Sequence, residues 1–148
     1  MKKEYGRSMI EMLGVLAIIG VLSIGGLAGY TMAMNRHRAN TILDYVSRCV
    51  VVAQTSGDGS VLKKGACGYT TGNSGGILNE KAPSFINGDA SITTTEAGGD
   101  IVVGGNAATV AIADALRNRS TSAIEIGGTG AAFTVTFKGA GKGFTKVE

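Results

Sequence analysis

The sequence predicts an α+β fold in which a long N-terminal helix, transmembrane in its first half and amphipathic in its second, packs on a small antiparallel β-sheet. Three observations carry that reading. Met12 to Met34 is a run of 23 residues without a charged side chain. From there to Ser56 apolar residues recur at three- and four-residue steps, the period of one helix face. The C-terminal half then breaks into short β-prone stretches separated by glycines.

The uncharged run comes first. At 1.5 Å per residue it makes roughly 34 Å of helix, enough to cross a hydrocarbon layer about 30 Å thick. An ordinary secretory signal has an apolar region of only about 7 to 15 residues followed by a small-x-small site, and Thr31-Met-Ala-Met34 is a poor match to one. Gly25, Gly26 and Gly29 lie inside the run. Each costs about 1 kcal/mol of helix propensity relative to alanine in water, so they mark where the helix is weakest. Gly25 and Gly29 also match G-x-x-x-G, a spacing that arises easily in a chain with 24 glycines.

Beyond the run, Ala39, Ile42, Leu43, Val46, Val50 and Ala53 form one apolar stripe, with Asn40, Asp44, Ser47, Arg48 and Gln54 between them. No proline or glycine interrupts Tyr30 to Ser56, so a single helix is expected from Ser8 to Thr55, ending at Gly57. Residues 57–90, which include the only proline, Pro83, are expected to form a long loop. Strands are expected at Ser91–Thr95, Asp100–Val103, Ser122–Ile126, Ala132–Lys138 and Gly143–Val147. A short helix is expected at Ala107–Arg117, with Val110, Ala113, Leu116 and Arg117 at helical spacing.

The distribution of charge matters more than its total. The formal net charge of +3 lies entirely within residues 1–56, where Lys2, Lys3, Arg7, Arg36, Arg38 and Arg48 face Glu4, Glu11 and Asp44. Residues 57–148 hold equal numbers of acidic and basic side chains. The excess thus flanks the apolar run, as membrane-topology charge does, and no nucleic-acid binding by the C-terminal part is expected. Three basic residues on each side leave the orientation undecided.

No catalytic, cofactor or metal site is expected, and the chain is not expected to be an enzyme. Two cysteines, Cys49 and Cys67, and one histidine, His37, cannot supply a structural zinc site. The cysteines are either buried free thiols or a disulfide; a disulfide needs an oxidising compartment, and because the N-terminus points to export, a Cys49–Cys67 disulfide is expected. Gly127–Ala132 precedes a strand where a dinucleotide-binding turn would precede a helix. The glycines near Lys142 lack the rest of a phosphate loop. Asp89, Glu96 and Asp100 match no calcium motif, and the sequon Asn118-Arg-Ser120 reads as chance.

Ahead of the apolar run stands GRSMIEML, Gly6 to Leu13, in which Ser8 and Glu11 match a helix-capping box. Capping leaves unexplained why a carboxylate abuts an apolar span, where charge is costly. A short basic leader ending in glycine, a glutamate at the fifth position after it, and a long apolar helix occur here in one register. In this combination the segment from Met1 to about Tyr30 resembles the N-terminus of type IV pilins and type II secretion pseudopilins. The resemblance covers the first third of the chain more closely than the helix that follows.

The resemblance implies four regions: a prepilin leader (1–6), an apolar transmembrane and filament-core helix (7–34), its amphipathic continuation (35–56) and a glycine-rich α+β head (57–148). It implies cleavage between Gly6 and Arg7 by a prepilin peptidase, methylation of the new terminus, and a role for Glu11 in assembly. The implied partners are further copies of the chain, related pilins and an inner-membrane assembly machinery. The implied location is the bacterial inner membrane, then a periplasmic or extracellular filament. Arg7 departs from the apolar residue usual at that place, no proline occurs in the span, and no cysteine pair closes the C-terminal region. The alternative from another class is a monomeric, membrane-tethered periplasmic or surface binding domain.

Overall fold

The structure, a computed structural model, describes the backbone at residues 2–56, 61–69, 75–93 and 99–147, with side chains described within these from Ser8 to Thr145. Its described residues have an α+β fold with two helices and a small five-stranded antiparallel sheet. Two compact units divide between Met34 and Asn35. Helix α1 (Lys2–Thr55) supplies the first unit and, from Asn35 onward, the helical layer of the second.

α1 begins earlier than the expected Ser8. Lys2, Lys3 and Glu4 are good helix formers with no proline among them, and an N-terminal turn of such residues extends a long helix already nucleated downstream. Ser8 therefore stands inside the helix and not at its cap.

In the second unit, the expected stripe is the buried face of α1. Ala39, Ile42, Val46, Val50 and Ala53 are buried and Leu43 is partly so. Tyr45 and Cys49 extend the face; neither belonged to the predicted stripe.

The head follows as β1 (Val61–Leu62), β2 (Gly65–Ala66), β3 (Ser91–Ile92), β4 (Ile101–Asn106), α2 (Val110–Arg117), β5 (Ile124–Gly127), β6 (Ala132–Phe137) and β7 (Lys146–Val147). The main sheet has the order β2-β3-β4-β6-β5, with every neighbouring pair antiparallel. Val103 lies opposite Val135 and Ile101 opposite Phe137. The odd-numbered residues of β4 and β6 therefore share one face, and Ile101, Val103, Phe133 and Val135 bury it against the α1 stripe. Gly105 lies opposite Phe133, and a Cβ there would crowd the ring, whose Cζ would lie 2.9 Å away.

The last strand differs from expectation. β7 does not join the sheet but pairs in parallel with β1, Val61 opposite Lys146 and Leu62 opposite Val147. The expected 57–90 loop thus contains two strands, each too short to show a period. Within α2 the buried residues are Ile112, Ala113 and Leu116, while Val110 at the helix start is 51% exposed. Thr109 caps that start by accepting from the Ile112 amide.

Candidate functional site

The exposed large apolar side chains are concentrated in the first unit. Ile10, Leu13, Val15, Leu16, Ile18, Ile19, Val21, Leu22, Ile24 and Leu27 are each at least half exposed, from 53% at Val15 and Ile19 to 74% at Ile24. They point to all sides of the helix, since neighbours along the chain are turned by about 100°. Among the described residues this is the one helix long and apolar enough to cross a membrane, and such a helix is compatible with membrane anchoring.

At its start Glu11 is exposed, one residue ahead of the uncharged run. Gly6 and Arg7 lie in helical backbone, and their side chains fall outside the described residues. The helix is continuous through Gly25, Gly26 and Gly29, and a Cβ at any of the three would meet nothing within 4 Å in the single chain.

The second unit presents the opposite character. Cys49 and Cys67 form a disulfide with a Cα–Cα distance of 5.4 Å, and both residues are fully buried. One helical turn before Cys49, Tyr45 is also buried, and its hydroxyl donates to Asp89 Oδ1 at 2.9 Å. The same carboxylate accepts the Gly68 amide at 3.1 Å on Oδ2 and the Ala90 amide at 2.8 Å on Oδ1. Burial, and then the Asp89 carboxylate beside it, push the Tyr45 phenol well above its usual range. Gly68 is tied to this arrangement because a Cβ there would collide with the Tyr45 hydroxyl and the Glu80 carbonyl oxygen.

Two of the three acidic residues considered for calcium, Asp89 and Asp100, accept hydrogen bonds from the chain. Asp89 is surrounded by donors, and Asp100 Oδ1 accepts the Gly139 amide at 2.7 Å. Glu96 lies outside the described residues. The Gly127–Ala132 glycines form the β5–β6 hairpin turn, closed by the Ala132 amide donating to the Thr129 carbonyl.

Among the described residues, each edge of the main sheet is partly capped by the chain itself. On β5, the Ile124 amide donates to Thr121 Oγ1 and the Ile126 amide to Ser120 Oγ, each at 3.1 Å. Ser120, the last residue of the sequon, thus serves as an edge cap. On β2, the Ala66 carbonyl accepts the Ile77 amide at 3.0 Å, and the adjoining Cys67 carbonyl accepts the Leu78 amide at 2.8 Å. The edge groups satisfied in this way are withheld from another strand.

Sequence reasoning placed the cysteines and the apolar run but missed Tyr45 and Gly68. The available signal was positional: Tyr45 stands three residues after Ile42 and four before Cys49, on the buried stripe. No family model matches the chain, and neither a curated protein nor a solved structure matches it.

Proposed function

We propose that the chain is a structural subunit of a filament of the type IV pilus or type II secretion pseudopilus kind. It is inserted in a membrane by the first half of α1, processed between Gly6 and Arg7, and polymerised through that helix. The observation that carries the reading is a first half of α1 that is apolar on every side and exposed from Met9 to Met32. Lipid satisfies such a surface and water does not. Once outside lipid it must be covered by like surfaces, at about 1.5–3 kcal/mol for each large side chain fully buried.

The N-terminal register supports the same reading. Gly6 ends a short basic leader, and Glu11 places a carboxylate where a new amino terminus at Arg7 on a neighbouring subunit can neutralise it. The head is then the outer surface of the filament, held together by the Cys49–Cys67 disulfide in an oxidising compartment. In the filament the helix is expected to loosen around Gly25, Gly26 and Gly29, where lost hydrogen bonds sacrifice least propensity. The reading assigns the chain no enzymatic activity.

The test is electron microscopy of sheared surface filaments together with mass spectrometry of their subunits. The expected result is this chain in filaments with its mature terminus at Arg7. An intact Met1, or a terminus near Asn35, would overturn the processing step. A processed or unprocessed chain that stays monomeric in the membrane would favour the tethered binding domain.

A further inference from the structure

We propose that Arg36 and Arg38 form a basic collar that binds the phosphates of anionic lipids in the leaflet on the head side of the membrane. The proposal rests on the reading that the first half of α1 spans a bilayer. Arg36 and Arg38 stand two and four residues beyond Met34, the last residue of the uncharged run. Along a helix this places them about 3 and 6 Å past its end. The polar interface outside the hydrocarbon adds about 5–8 Å on each side of a bilayer, so both guanidiniums start within that layer.

Among the described residues, lack of an acidic partner separates Arg36 and Arg38 from Arg48 and Arg117; Arg119 shares that lack, but it lies in the head and far from the span in sequence. Arg48 pairs with Asp44 at 3.2 Å and with Glu80 at 3.0 Å, and Arg117 pairs with Asp114 and with the Ala132 and Gly130 carbonyls. Among the described residues, no carboxylate lies within 4.0 Å of Arg36 or Arg38. Between Glu11 and Asp44 the helix carries no acidic residue that could neutralise them. Arg36 is exposed and Arg38 half-buried, and two residues of separation turn them about 200° apart, on opposite flanks of the helix. A pair spread in that way meets phosphates on both flanks, where a one-sided patch would suit a single protein partner.

Arginine suits the role because its planar fork donates two parallel hydrogen bonds to phosphate oxygens, and its long stem lies along apolar surface while the head reaches the interface. Residues 57–148 are electrically neutral in sum, so the attraction for an anionic leaflet comes from the helix and not from the head.

The full chain would be inserted into sealed phosphatidylcholine vesicles, head outward as shown by protease access, with trace spin-labelled phosphatidylglycerol or phosphatidylcholine. The motionally restricted signal removed by external ascorbate reports the head-side leaflet alone. The expected result is a preference of about threefold or more for phosphatidylglycerol, weakening with salt, as two interfacial cations should give. It should fall to about onefold in Arg36→Gln/Arg38→Gln and persist in Arg48→Gln, whose guanidinium is already paired. A preference unchanged in the double variant, or none in the wild-type chain while it resists alkaline carbonate extraction, would overturn the collar. Binding of an acidic peptide without lipid preference would do the same and give the arginines to a protein surface. Extraction of the wild-type chain by carbonate would instead overturn the spanning reading and the collar with it.

Discussion

The Tyr45 hydroxyl and the Asp89 carboxylate meet at 2.9 Å, and they do so beside the Cys49–Cys67 disulfide. Tyr45 and Cys49 are one helical turn apart, while Gly68, whose amide binds Asp89, directly follows Cys67. The helix and the segment after β2 are therefore joined twice at one place, once covalently and once through Asp89, which accepts from both Tyr45 and Gly68.

Replacing Tyr45 by phenylalanine keeps the buried ring and removes the donor. Hydrogen bonds to charged groups are worth about 1.5–3 kcal/mol, and a loss in that range is expected in denaturant unfolding of the head. Because the folded-state phenol titrates above the unfolded one, its contribution is complete below the unfolded value of 10.0 and is lost as pH rises beyond it. Wild type should therefore lose stability above about pH 10 more steeply than Tyr45→Phe. Parallel curves for the two proteins would show that Tyr45 is not linked to that loss.

Cys49→Ala/Cys67→Ala opens a link between residues 18 apart and should cost about 3 kcal/mol in the chain-entropy account. Combined with Tyr45→Phe, the losses should fail to add by more than about 0.5 kcal/mol, since both changes loosen the same junction. A double-mutant cycle in urea measures this. Quantitative alkylation of both thiols in the denatured, unreduced protein would rule out the bridge.

Glu11→Gln separates two roles for that side chain. The helix runs through Ser8, and a glutamine retains the hydrogen-bond acceptor a cap would need, so the fold should change little. If Glu11 neutralises the terminus at Arg7 of a neighbour, each subunit loses one side of a buried pair, at roughly 3–5 kcal/mol. Filament counts should then collapse while membrane insertion and Gly6 processing continue. Normal filament yield from processed Glu11→Gln protein would leave Glu11 without a part in assembly.

Ser120→Ala/Thr121→Ala removes the two hydroxyls that accept from the outer edge of β5. The buried side of the sheet is untouched, so stability should fall by only about 1–2 kcal/mol, while the bared edge becomes open to another strand. The isolated protein should self-associate faster than wild type in light scattering at equal concentration. Unchanged association would show that the two hydroxyls do not protect the edge.

Elements with a sustained period were legible in the sequence, and elements defined by one or two pairings were not. The α1 stripe from Ala39 to Ala53 and the Phe133-Val135-Phe137 alternation repeat often enough to identify a helix face and a strand face. Val61–Leu62 and Gly65–Ala66 are two residues each and carry no period, so a loop was the expectation for both. Gly143–Val147 had the composition of a strand, but composition does not name a partner, and its final residues pair with β1 in parallel. Val110 fell on the helical spacing yet lies in the first turn of α2, outside the buried set Ile112, Ala113 and Leu116.

What the sequence determined by itself is the division of the chain into a lipid-compatible helix and a thin, glycine-rich α+β head, because burial preferences repeat along the chain and can be read without knowing what lies opposite. What only the tertiary structure decided is which groups meet across distance. Asp89 binds Tyr45 from 44 positions away, Gly68 must lack a side chain, β7 pairs with β1, and Ser120 closes a sheet edge. Each depends on a single close approach between segments distant in sequence, and one approach leaves no period, motif or composition by which the sequence alone could announce it.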